Sequence, residues 1–343
     1  MDKTQEVNQK SFLSREVVND SERLKKQTRR LQIIENVWKY LFAILPLLGF
    51  LIFSIVPISI SFLAMFNDIN IYNPTEGLKW NNFEAFRYVF TPKAANEFRS
   101  YDVNSWFMQS IRITFWVAST QFVTLFIALV ISLLLAQKLK GSKLFQVLFF
   151  IPYICSSIAV GLMWSWIFSN ESFGIVNTIL GTSIRWTEDT RFMTWCIIIA
   201  IIWQAPGYGI VMYKAAMANI NSSLYEAAEL DGANWFSRVI HVTLPAIRPT
   251  TFYLMMAGVI SGLMTFEIAT LIVPATWVYP FGTENMGITF MRLIYHLLEP
   301  NVITDESQPF VSEAAVMSWS VFIVTAALSL IIMKLRDRSI RND

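Results

Sequence analysis

The stretch Asn221-Ser-Ser-Leu-Tyr-Glu-Ala-Ala-Glu-Leu-Asp-Gly-Ala-Asn-Trp-Phe-Ser-Arg-Val-Ile-His-Val-Thr-Leu-Pro245 reads as two short helices around a turn. Ser223 and Glu226 have the Ser-x-x-Glu spacing of a capping box, so a first helix is expected to begin near Ser223. Asp231-Gly232 supplies the left-handed or turn conformation that ends it. A second helix is expected over about 233–241, presenting Trp235, Phe236, Val239 and Ile240. Pro245 and Pro249 then bracket the start of the next helix, where a missing N–H costs least. Such an apolar helix–turn–helix either folds back on its own chain or fits a partner's groove.

What lies on either side makes the stretch decisive, because both flanks are long and apolar. Hydrophobic residues are 54% of the 343-residue chain and charged residues 15%, too few charges to cover a soluble domain of that size. The mean hydropathy is +0.46. Six stretches reach the roughly 20 apolar residues that a bilayer core requires: about 40–66, 110–136, 145–168, 193–217, 250–275 and 314–335. The runs are continuous rather than alternating, so they predict helices and not a barrel. The expected fold is therefore all-α and polytopic, with six transmembrane helices and the quoted stretch between spans four and five. The first run lacks a small-residue cleavage site and reads as a retained span.

Lys and Arg set the orientation. Residues 1–39 carry nine of them, and Lys138, Lys140, Lys143, Lys214, Arg238, Arg248, Lys334, Arg336, Arg338 and Arg341 fall on the same side. Both termini and the 221–248 segment are thus expected to be cytoplasmic. Residues 1–39 form a cytoplasmic segment in which Leu24, Leu31, Ile34 and Val37 recur at helical spacing. It reads as an interfacial amphipathic helix or as a plain positive-inside anchor. Residues 40–335 form the membrane domain and 336–343 a short tail. The outer loops, about 67–109, 169–192 and 276–313, contain aromatics such as Trp80, Phe83, Phe86 and Trp186 and are long enough to fold into small caps. Net charge of +2 with so much apolar content argues against nucleic-acid binding.

The spaced pattern Glu226-Ala227-Ala228, Asp231-Gly232-Ala233, Leu244-Pro245, with Ile202-Trp203-Gln204 before it and Ile247-Arg248-Pro249 after it, resembles the "EAA" motif. That motif marks the permease subunits of ATP-binding-cassette importers, here of the carbohydrate, maltose-type branch. The resemblance is strong over about 195–275 and continues in topology across the other spans. It departs at Asn221, where the family usually has Pro, and at Pro274–Gly282, where it often has a Gly-Gly-Pro turn. The resemblance implies a type I importer permease fold in a bacterial cytoplasmic membrane, pairing with a second permease. It also implies an ATPase dimer, an extracytoplasmic solute-binding protein and a carbohydrate substrate as partners, with membrane lipid around the spans. Glu226, Ala227, Ala228, Asp231, Gly232 and Ala233 would make the ATPase-coupling contact, although Glu226 and Gly232 also suit a purely local cap and turn. This chain would carry no cofactor and no catalysis, with ATP and Mg²⁺ bound by the partner ATPase. Consistent with that division, the sequence has no P-loop, since Gly141-Ser142-Lys143 lacks the spacing.

A substrate site is expected at mid-depth. Glu267 is the one acidic residue within the six expected spans, and a carboxylate there, costing roughly 2.5–3.5 kcal/mol, should face the interior or water. Phe266 lies beside it. Gln204 and Tyr208 are four apart and share a face, next to Ala205-Pro206-Gly207, which is expected to kink span four. In the maltose-type family, positions matching Tyr208, Phe266 and Glu267 lie at or beside the sugar site, and Gln204 falls in the same region. His241 and His296 stand alone and read as surface or interfacial residues, while Cys155 and Cys196 show no disulfide or metal pattern. Two other classes remain: a proton-coupled secondary transporter using Glu267, and a membrane scaffold recruiting a soluble partner.

Overall fold

The structure, a computed structural model, describes residues 31–32, 34–69, 77–92, 102–137, 141–171, 174–273, 287–299 and 310–341. Most of the N-terminal segment, the tail end, and the stretch Pro274–Gly282 lie outside the described residues. The chain divides into two units, Met1–Leu63 and Ala64–Asp343. The first contributes helix α1 (Ile34–Ala64), which is long and apolar enough to span a bilayer. It contains a π-helical turn at Leu51–Ile55, and Lys39 pairs with Glu35 one turn away at 2.8 Å.

The second unit opens with a two-residue hairpin, β1 (Asn67–Asp68) against β2 (Lys79–Trp80), and helix α2 (Glu84–Phe90). Here the expected aromatic cap forms: Phe66 stacks on Trp80 at 5.9 Å, and Phe83 stands edge-on to Trp80 at 5.4 Å. Helix α3 (Val103–Ala136) follows, capped by Asp102, whose side chain accepts from the Ser105 N–H. Its 34 residues extend about 51 Å, more than a hydrocarbon core of about 30 Å. Its start at Val103 is some seven residues before the expected boundary.

The third apolar stretch is a correction to the sequence reading. It is two helices, α4 (Ser142–Ile154) and α5 (Ser157–Ile167), bent by 94° rather than one straight span. Pro152 within α4 removes a backbone donor. Cys155 and Ser156 are extended, and the Ser156 hydroxyl caps α5 by accepting from the Ile158 N–H. The loop after α5 holds helix α6 (Ile175–Leu180) and folds around buried Asn177, whose side-chain oxygen accepts from Trp186 Nε1 at 2.8 Å.

Helices α7 (Met193–Gln204) and α8 (Pro206–Ala218) form a single span. The kink expected at Ala205-Pro206-Gly207 is slight, because Ala205 keeps helical dihedrals of −72° and −29°. Helices α9 (Ser222–Leu230) and α10 (Trp235–Arg238) are the two short helices of the quoted stretch, and α10 runs on through Val239–Thr243 and Leu244–Ala246. Span five is interrupted, with α11 (Arg248–Leu263) and α12 (Glu267–Ile272) separated by Met264–Phe266. Helix α13 (Phe290–Leu298) then packs on α3 and on the last helix, α14 (Val311–Arg341). α14 begins early enough to include Glu313, which is buried, so Glu267 does not stand alone as an acidic residue on a spanning helix.

Helix α3 is central, packing on α8, α11 and α7. Between residues 118 and 132 its inward face is small or polar, with Ala118, Thr120, Gln121, Thr124, Ala128 and Ser132 all buried, while Phe122 and Phe126 point outward and are exposed. In lipid this is the stable sense, because apolar side chains gain nothing by leaving the bilayer and close packing drives association. The buried hydroxyls of Thr120, Thr124 and Ser132 satisfy themselves on carbonyls one turn back.

Candidate functional site

Two backbone interruptions meet. α5 packs on α12, bringing Cys155-Ser156 and Met264–Phe266 to a cavity of about 570 Å³. Irregular backbone at membrane depth is stable only where protein or water satisfies it, and here side chains do so. Gln204 Nε2 donates to the Cys155 carbonyl at 3.1 Å. The Thr265 hydroxyl donates to Gly262 O, Thr289 Oγ1 donates to Thr265 O at 2.9 Å, and Thr270 Oγ1 donates to Phe266 O.

Of the four residues expected to contact substrate, Gln204, Phe266 and Glu267 line this cavity and Tyr208 does not. Tyr208 stands one layer behind: its ring stacks on Tyr153 at 5.4 Å, and its hydroxyl meets that of Tyr253 at 3.2 Å. Tyr153 is the aromatic that lines the wall. α4 approaches α8 closely enough for this because residue 207 is Gly; a Cβ there would lie 2.6 Å from Phe149 O and 2.9 Å from Tyr153 Cβ. The lining also includes Gln121, Cys155, Ser157, Ser261 and Thr265, none of them singled out from the sequence. Gln121 had a readable signal, as the one amide between 110 and 136. Tyr153 had another in its neighbour Pro152, which marks a break in an otherwise apolar run. The result is a wall of amides, hydroxyls, one carboxylate and two aromatic rings.

The turn between spans four and five carries the second set. The α9 cap is Asn221, whose side chain accepts from the Ser223 N–H at 3.1 Å, rather than the expected Ser223. The helix ends in a Schellman arrangement: Ala233 N–H donates to Ala228 O and Gly232 N–H to Glu229 O. Gly232 sits at φ +79°, with nothing within 4 Å of an added Cβ, so backbone conformation and not space calls for glycine. α10 starts at Trp235, later than expected, with Asn234 accepting from the Ser237 N–H at 2.8 Å. Arg238 pairs with Glu229 across the turn at 3.1 Å, and the Tyr225 and Thr243 hydroxyls meet at 3.0 Å. Glu226, Ala227, Asp231 and Gly232 are exposed, and Ala228 and Ala233 half-buried. Leu224, Leu230 and Phe236 are exposed beside them, Leu230 at 90%. Four of the six motif residues are thus exposed, with exposed apolar side chains close in sequence.

His241 is exposed, as expected. His296 is not: it is 3% exposed, between Arg292 Nε at 3.4 Å and Glu299 Oε2 at 3.3 Å. The arginine N–H must donate, so His296 Nε2 accepts and the ring proton sits on Nδ1, facing the carboxylate. Burial and the Arg292 charge push its pKa below the ordinary histidine value.

The family profile described as "Binding-protein-dependent transport system inner membrane component" matches residues 128–342. YesP of Bacillus subtilis, a probable ABC transporter permease protein, is 27% identical over 88% of this chain and 90% of its own length. LacF of Rhizobium radiobacter, a lactose transport system permease protein, is 31% identical over 56% of this chain and 62% of its own. AraP of Bacillus subtilis, an arabinooligosaccharides transport system permease protein, is 27% identical over 75% and 77%. A chain of a bacterial ABC transporter that imports alginate shares the fold, with a TM-score of 0.70 and 21% identity over 90% of this chain and 99% of that one.

Proposed function

The chain belongs to the family of binding-protein-dependent transport system inner membrane components, and from that premise we propose that it is one permease half of an ATP-driven oligosaccharide importer. The observation that carries the sugar reading is the mid-span cavity of about 570 Å³. Amide, hydroxyl and carboxylate groups suit the hydroxyls of a sugar, and the faces of Tyr153 and Phe266 suit its C–H surfaces. Relatives named for lactose and arabinooligosaccharide transport support the same substrate class.

The remaining assembly is what membership of this family implies. Glu226, Ala227, Ala228, Asp231, Gly232 and Ala233 form the contact with an ATPase dimer, which binds ATP and Mg²⁺; the chain itself is a non-catalytic transport subunit. The small side chains admit close approach and the Gly232 turn fixes the angle between α9 and α10. A second permease completes the cavity. An extracytoplasmic binding protein delivers the sugar to the outer loops; a bacterial alginate ABC transporter of the same fold is known in complex with an alginate pentasaccharide-bound periplasmic protein. Both termini and the coupling turn lie in the cytoplasm, as the distribution of Lys and Arg supports. ATP binding draws the coupling helices together and opens the cavity outward; hydrolysis resets it.

The test is affinity purification of the tagged chain in mild detergent, wild type beside Gly232→Asp. An ATPase and a second permease should copurify, with the ATPase weakened in the variant. A chain that purifies alone and still moves substrate would sink this reading and return Glu267 as a proton site.

A further inference from the structure

Helix α12 is only six residues long, far too short to hold itself, yet it begins at Phe266 and Glu267, the cavity's aromatic and its carboxylate. α13 grips it at both ends. Before α12, Thr289 Oγ1 donates to Thr265 O at 2.9 Å. After it, the Arg292 guanidinium donates to Ala269 O at 3.1 Å and Val273 O at 2.9 Å, placing a cation at the helix's negative end. Between the two, Tyr295 packs its ring on Phe266 at 5.1 Å. Arg292 is 0% exposed, and its Nε–H is fixed on His296. α13 is itself tied to α3, because the Phe290 N–H donates to Thr114 Oγ1 at 2.7 Å.

We propose that Arg292 is a positioning residue of the transport site: it sets α12 so that Phe266 and Glu267 face the cavity, and so determines sugar affinity from behind. This rests on the cavity being the sugar site. Arg292 also donates to His296 Nε2 within α13 and to Gly287 O just before it. Its fork of donors thereby fixes the axis and rotation of the helix that presents the two site residues.

The experiment uses the full complex in proteoliposomes, with uptake of radiolabelled lactose, arabinotriose and an alginate trisaccharide as probes. The sugar that the wild type moves best is then followed. Arg292→Lys keeps the charge and loses the fork, and Thr289→Val removes the other anchor with every charge in place. Arg292→Lys is expected to raise KM about tenfold, the factor that one lost charge-assisted hydrogen bond supplies, and Thr289→Val about fivefold, the factor of one neutral hydrogen bond, with maximal rate and subunit composition retained. Hydrogen exchange over 264–273 should accelerate in both. Glu267→Gln is the control for the site. If Glu267→Gln raises KM but both anchor variants keep the wild-type value, the positioning role is overturned while the site stands. Loss of maximal rate or of assembly in both variants with KM unchanged overturns it too, leaving a structural part only. If Glu267→Gln is also without effect, or the wild type moves none of the sugars, the site reading falls and this proposal with it.

Discussion

Gln204 on span four donates its side-chain amide to the Cys155 carbonyl at 3.1 Å, closing the break in the 94° helix pair. One side chain therefore both lines the cavity and satisfies a backbone group that the bend has left without a helical partner. Gln204→Leu should cost about 1 kcal/mol, the net worth of one hydrogen bond, because Cys155 is exposed to the cavity and its carbonyl can turn to water. Thermal unfolding of the purified complex checks this; an unshifted midpoint would show that water replaces the amide at no cost.

The two cysteines should separate cleanly. Cys155 is exposed on the cavity wall and Cys196 is buried. N-ethylmaleimide should modify Cys155 and spare Cys196 in the folded complex, as read by peptide mass spectrometry. A transported sugar should slow the reaction several-fold. Equal labelling with and without sugar argues against occupancy of this cavity.

At Gly232 the positive φ and the open space make different demands. Gly232→Ala adds no clash but strains the backbone by about 1 kcal/mol, and Gly232→Asn much less, because Asn tolerates the left-handed region. ATPase recovered per permease should fall about fivefold for Ala and hardly at all for Asn. Equal losses in both would mean that the side chain itself obstructs docking.

His296 gives a pH signature. Its folded pKa lies below the ordinary 6.5, so the unfolded chain takes up the proton first. The stability it contributes is complete above about 6.5 and is lost as pH falls from there towards the folded value. Protonation also removes the acceptor for Arg292 Nε. The unfolding midpoint of the complex should drop as pH falls below about 6.5, and His296→Gln should flatten that drop. A drop of the same size in the variant assigns it to other groups.

The two short helices between spans four and five were legible because their signals are local, a helix start and the Asp231-Gly232 stop within one 25-residue stretch, although the cap fell on Asn221 and not Ser223. That Gln204 and Glu267 would face a cavity was legible because polar groups within long apolar runs have few places to go; Phe266 followed only as the neighbour of Glu267. The breaks were not, since hydropathy weighs side chains and says little about backbone dihedrals; Cys155-Ser156 continues an apolar-looking run through an extended corner. Tyr208 was assigned to the wall because shared helix face gives direction but not depth, and Tyr153 occupies the nearer layer. α13 and buried His296 were invisible for a further reason. α13 is held in place by residues as distant as Thr114, 176 positions away from Phe290, and it is that placement which buries His296.

The polar lining of the cavity has an electrical consequence. Groups that can hold sugar hydroxyls also hold water, and a wet path at mid-bilayer lowers the barrier that hydrocarbon sets against ions. A membrane that stores energy as an ion gradient cannot carry such a path open at both ends. Insulation must therefore come from elements outside the cavity, closing one side before the other opens, including during cycles when no cargo is aboard.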